Sequence, residues 1–122
     1  MSGTTEKVID RAGNKEALDL WLNVTLENIK NVSYDLSARQ IALLLVVYKN
    51  EGNHTVRGLS NYMGISKPAI CRAVDTLSKY DLVQRVYDEN DRRNVFIKPT
   101  EKGYEFLGSF SENIMNSLMA IS

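Results

Sequence analysis

Apolar residues fall at helical intervals over residues 14–32, where Leu18, Trp21, Leu22, Ile29 and Val32, together with Thr25, recur three or four positions apart. This predicts a polar helix carrying one apolar stripe. A second helix is predicted to open at Ser37-Ala38-Arg39-Gln40, a capping box in which the serine hydroxyl accepts from an early amide and the glutamine reaches back. Leu36 and Ile41 flank the box as a hydrophobic staple. The helix then runs through Ile41, Leu44, Leu45 and Tyr48 until Asn50–Asn53, with Gly52, stops it. Its Ile41–Tyr48 stretch is the longest apolar run in the chain and reads as a buried helix, far short of the roughly 20 residues that span a bilayer.

A short helix follows from Thr55, with Val56, Leu59 and Met63 on one face. Gly64 supplies the positive φ of a sharp turn, and Ser66 caps another helix with Pro68 in its first turn, where a missing N–H costs nothing. Ile65 and Ile70 again form a staple. After Tyr80 the period switches from helical to alternating. Leu82–Tyr87 and Asn94–Lys98 read as two strands, and Asp88-Glu89-Asn90-Asp91-Arg92 reads as the hairpin loop between them. Thr100 caps a last helix that runs to about Met119 through Tyr104, Phe106, Leu107, Phe110, Ile114 and Leu118. The expected fold is mainly α with a small two-stranded β-wing, a winged helix-turn-helix flanked by terminal helices, in a single domain over residues 1–122.

Composition agrees with a globular chain. Hydrophobic residues make up 43% and charged residues 25% of the 122 positions. The N-terminus places charges where a signal peptide has its apolar core, and a single cysteine, Cys71, admits no internal disulfide, so a cytoplasmic protein is expected. Fifteen basic residues balance fifteen acidic ones. Their distribution is uneven: residues 55–98 hold eight basic against five acidic side chains, whereas residues 1–36 hold four against six and residues 99–122 one against three. A positive centre between negative ends suits a DNA-facing middle.

On a helical wheel, Ile70, Val74 and Leu77 of the helix at 66–80 fall together and face a core. Opposite them lie Pro68, Arg72, Asp75, Thr76 and Lys79, with Ala69 beside them. Such a face, small at its start and bearing one bidentate donor, fits a major groove, where arginine reads guanine O6 and N7. Arg72, Pro68, Ala69 and Thr76 are the candidate base contacts; Thr55, Ser66, Lys67, Lys79 and Arg92 are the candidate phosphate contacts. The plainer reading of Arg72 is a surface side chain paired with Asp75 three residues on. At the hairpin tip, Asp91 beside Arg92 and Arg93 reads either as a solvated turn or as a carboxylate that holds a guanidinium extended for a narrow minor groove.

The segments LSARQIALLL, VRGLSNYMGISKPAICRAVDTLSKYDLVQR and DENDRRNVFIKPTEKGYEFL follow one another from Leu36 to Leu107 and resemble the MarR family of bacterial winged-helix regulators. The most specific signature is Arg85, then Asp91-Arg92-Arg93, then Thr100-Glu101-Lys102-Gly103. The resemblance implies a homodimer that binds a pseudo-palindromic operator in double-stranded DNA and represses transcription. It places Arg93 in the minor groove with Asp91 beside it, and leaves Arg92 for a phosphate. Residues 37–98 become the DNA-binding core, and 14–36 and 100–122 the dimerisation helices, with Trp21, Leu22, Phe106, Phe110 and Ile114 as interface candidates that equally suit an intramolecular core. Many family members respond to a small aromatic ligand or to cysteine oxidation; no residue pattern here marks a ligand pocket, and Cys71 reads as a packing residue. Three departures stand out. Asp81 replaces the usual glycine after the recognition helix, Pro99 replaces an apolar residue, and the sequence ends near where family members commonly continue into a further helix.

No catalytic residues, cofactor or metal site are expected: His54 is the only histidine and has no cysteine near it in sequence. The competing reading is a winged helix that recognises another protein, as an antirepressor or a regulator subunit, which the neutral charge balance favours.

Overall fold

The computed structural model describes residues 14–31 and 34–121. The elements follow the expected order: α1 (Lys15–Asn31), α2 (Ala38–Lys49), α3 (Val56–Met63), α4 (Lys67–Lys79), β1 (Val83–Tyr87), β2 (Val95–Pro99) and α5 (Glu101–Ile121). The described residues fall into two compact units, 34–107 and 14–31 with 108–121. The division follows the core, since the whole hydrophobic cluster with its packing neighbours is drawn from residues between Tyr34 and Leu107. Val32, last in the expected stripe, lies outside the described residues, as do residues 1–13, 33 and 122 of the expected domain.

Within Tyr34–Leu107, the capping box forms as the sequence dictates. Ser37 Oγ accepts from Gln40 N at 3.1 Å and Gln40 Oε1 accepts from Ser37 N at 2.9 Å, a cap worth about 1 kcal/mol. The face that α2 buries is rotated from the expected one: Leu43, Leu44 and Val47 are in the core, whereas Ile41, Leu45 and Tyr48 are half-buried. A run that is apolar on every side leaves the phase of burial to tertiary packing. Tyr48 instead uses its polar end. Its hydroxyl donates to Leu82 O at 2.6 Å, lies 3.1 Å from Thr100 O, and accepts from Thr100 N at 3.0 Å.

Thr55 caps α3 by accepting from Gly58 N, and Gly64 ends it in the left-handed region at φ 69°. Ser66 caps α4 by accepting from Ala69 N, with Pro68 in the first turn. Helix α4 buries Ala69, Ile70, Ala73, Val74 and Leu77. Its end is a Schellman motif, in which Leu82 N donates to Leu77 O at 2.8 Å and Asp81 N donates to Ser78 O at 2.9 Å. Asp81 takes the glycine-favouring position with φ 60°, and the motif's two apolar positions, Leu77 and Leu82, are fully buried in one cluster. Burying a leucine of this kind contributes about 1.5–3 kcal/mol.

Strands β1 and β2 pair antiparallel in the register Val83↔Pro99 to Tyr87↔Val95. Ile97 is buried and also bridges His54 on its other side, its N–H donating to His54 O at 2.7 Å. This one-residue third strand has no periodicity from which the sequence could announce it. Thr100 caps α5, accepting from Gly103 N at 3.0 Å while donating to Asp81 O at 2.6 Å, and so joins the end of α4 to the start of α5.

In the second unit, α1 buries Val24 alone. Asn113 of α5 donates to Val24 O at 3.2 Å and to Asn28 Oδ1 at 3.0 Å, and Ser117 donates back to Asn113 Oδ1 at 3.4 Å. Phe110 and Ser117 are buried. No helix among the described residues is long and apolar enough to cross a membrane.

Candidate nucleic-acid interface

The outward face of α4 carries Ser66, Lys67, Pro68, Arg72, Asp75 and Lys79 exposed, with Thr76 half-buried and donating to Arg72 O at 3.2 Å. Ala69 does not belong to this face. It is 6% exposed, buried where the neighbouring Pro68 and Arg72 are exposed. Thr55 Oγ1 is engaged in capping α3, and Ser66 Oγ in capping α4; each accepts there and keeps its own O–H to donate.

The plainer reading of Arg72 does not hold, because Asp75 is taken by another partner. Arg85 Nη2 of β1 donates to Asp75 Oδ1 at 2.5 Å. Among the described residues the only other ion pair is Asp91–Arg93, so Arg72 has none. Since Asp75 stands on the outward face of α4, this pair also ties the base of the hairpin to the helix side that bears Arg72.

The hairpin tip is built by its acidic residues. Asp88 N donates to Asn94 O at 3.0 Å, and Asp88 Oδ1 accepts from Asn90 N at 2.9 Å. Asp91 Oδ1 accepts from Arg93 N at 3.1 Å and from Arg93 Nε at 2.9 Å, and Asp91 Oδ2 accepts from Arg93 Nη2 at 2.9 Å. This is a bidentate pair held by the backbone as well. The hydrogen bonds from Arg93 lower the Asp91 carboxyl below its ordinary range, and Asp91 raises the guanidinium of Arg93 further above its own. The Arg93 side chain is nonetheless 90% exposed. Its guanidinium is oriented before any partner arrives, yet remains open to one. Arg92 beside it is exposed.

The interface candidates of the terminal helices divide into two groups. Trp21 and Leu22 are 65% and 54% exposed, and Leu18, Leu26 and Ile29 are exposed with them. Phe106 is partly buried against the core cluster, Phe110 is buried, and Ile114 is half-buried. Leu26 extends the stripe beyond what the spacing suggests. Among the described residues there is no group of three histidine, cysteine or carboxylate side chains that could hold a metal ion.

A capped helix-turn-helix followed directly by a hairpin with an arginine at its tip defines a winged helix-turn-helix protein. The sequence model of the MarR family matches residues 34–94, half of the chain, and the chain belongs to that family. It is 34% identical over 67 residues to the transcriptional repressor MprA of Escherichia coli, covering 53% of this chain but only 38% of MprA. It is 28% identical over 101 residues to the HTH-type transcriptional regulator SarT of Staphylococcus aureus, covering 82% of this chain and 77% of SarT. Among solved structures, a variant of S. aureus MepR bound to an oligodeoxyribonucleotide superposes with TM-score 0.75 at 15% identity, over 86% of this chain and 75% of that one. At that identity the superposition speaks for the fold alone.

Proposed function

We propose that this chain is a DNA-binding transcriptional regulator, a dimeric repressor that reads a pseudo-palindromic operator with α4 in the major groove and the 88–93 wing in the minor groove. The observation that carries the reading is the wing tip, where a bidentate carboxylate holds an almost fully exposed arginine. Fixing a guanidinium in advance removes part of the entropy lost when it enters a narrow, negatively charged groove. In this reading Arg72 takes a guanine edge, Pro68 and Thr76 border it, and Thr55, Ser66, Lys67, Lys79 and Arg92 meet phosphates. The exposed Leu18, Trp21, Leu22 and Ile29 stripe of α1 supports a second copy as partner, because apolar area left in water forgoes roughly 25 cal/mol per Å² of burial.

The test is selection of bound duplexes from a random pool, followed by titration of the winning site at several salt concentrations. Two half-sites about 10 bp apart are expected, with a log–log salt slope near −0.9 per phosphate contact. Arg93→Ala should weaken binding on the order of tenfold or more and leave the oligomeric state unchanged. Selection of no duplex, with a flat salt response, would assign the winged helix to protein recognition instead.

A further inference from the structure

We infer that Arg85, which lies on the wing strand rather than the recognition helix, is a specificity-determining positioning residue that keeps Arg72 available to a base by holding Asp75. The inference rests on Arg72 as the base reader. Asp75 sits three residues after Arg72, where the two side chains of a helix are neighbours within pairing reach. A recognition face that carries a carboxylate next to its one bidentate donor has two faults. The carboxylate can capture that donor, and it repels the phosphates that line the groove. Arg85 answers both. It donates to Asp75 Oδ1 at 2.5 Å from a backbone fixed by pairing with Ile97, itself buried in the core. Its side chain is 34% exposed, about half the exposure of its partner at 65%. The pair neutralises the carboxylate and leaves Arg72 without an ion pair among the described residues.

The full-length chain is tested as Arg72→Ala, Arg85→Ala, Asp75→Asn and the double variant Arg85→Ala/Asp75→Asn, each by random-duplex selection and by titration at one salt concentration. Arg85→Ala is expected to lose about three- to tenfold in affinity, the size of one unscreened unit charge a few ångströms from the contact. It should also flatten the base preference at the operator position that Arg72→Ala flattens. The double variant restores the wild-type net charge and removes the carboxylate, and is expected to recover affinity to within about twofold, with its base preference. Arg85→Lys keeps a cation opposite Asp75 and is expected to hold the preference, so a folding defect in Arg85→Ala does not decide the matter. A double variant as weak as Arg85→Ala overturns the inference, because Arg85 then acts on a phosphate or on wing geometry directly. Unchanged binding by Arg85→Ala overturns it as well. If Arg72→Ala leaves every base preference intact, the base-reader reading fails on its own, separately from the Arg85 result, and the inference falls with it.

Discussion

Tyr48→Phe removes one oxygen and should cost the winged-helix unit far more than a surface change. That oxygen donates to Leu82 O at 2.6 Å and accepts from Thr100 N at 3.0 Å, so α2, the start of β1 and the cap of α5 all meet on it. Two hydrogen bonds are lost, each worth about 1 kcal/mol net, and the Thr100 amide is left without an acceptor at a cost of about 1–3 kcal/mol more when buried. Because Tyr48 is only half-buried, water can reach part of the gap. A total of about 2–3 kcal/mol follows, or a melting midpoint lower by about 8–24 °C for a unit of this size. Circular dichroism melts measure the midpoint, and amide hydrogen exchange reports Thr100 directly, whose protection should fall more than that of the α4 amides. A midpoint within about 2 °C of wild type, or an unchanged Thr100 amide, would refute the role of the hydroxyl.

Gly103→Ala should be worse still: the new methyl would overlap the Tyr48 hydroxyl and the Leu82 carbonyl oxygen, and the carbonyl is backbone that cannot swing away. A loss of about 3 kcal/mol or more is expected in denaturant titration. Asp81→Gly should stabilise by about 0.5–1 kcal/mol in the same assay, relieving a left-handed backbone at φ 60° while keeping the carbonyl that Thr100 uses. Asp91→Asn adds a unit of positive charge yet is expected to weaken operator binding several-fold, because the Arg93 guanidinium loses its bidentate anchor. The Asp91 carboxyl is lowered by Arg93, so its contribution to wing order is fully present above the ordinary carboxylate range and is lost as pH falls through the lowered value. Carboxyl titration by NMR should find that midpoint below about 3.9, with the pair contributing no pH dependence to binding between about pH 5 and 8.

The elements were legible because their punctuation is local. Ser37 and Gln40, Ser66 and Pro68, and Thr100 each act within one turn of their own position, and the sequence states them directly. Asp81 was legible through the family resemblance, which puts glycine at this left-handed position. What the sequence could not state was set across distance. The phase of burial in α2 depends on what packs against it, so Leu43 and Val47 took the places expected for Leu45 and Tyr48. Ala69 shifted inward for a like reason, since a small apolar residue at the edge of a helical stripe belongs to whichever side the neighbours close. The partner of Asp75 could not be read at all: the local rule offered Arg72, and a strand ten residues on supplied Arg85. Tyr48 and Gly103 meet in space through a 55-residue separation that no motif spans.

The charge balance looks different once the acidic residues are placed. Fifteen against fifteen is neutral for the whole chain, and the excess within residues 55–98 is modest. Of the five acids in that stretch, Asp75 and Asp91 each hold one arginine, and Asp88 shapes the wing loop through Asn90 and Asn94. These carboxylates do not simply subtract from the attraction to a polyanion; they convert mobile cations into directed ones. Arg85 is spent in the process and Arg93 is aimed by it, while Arg72, Lys67 and Lys79 stay exposed on one helix. Counterion release depends on which cations sit against phosphates and hardly on the net charge of the chain behind them. A neutral protein of this design can therefore show a steep salt slope, and removing one of its acids can weaken rather than strengthen its hold on DNA.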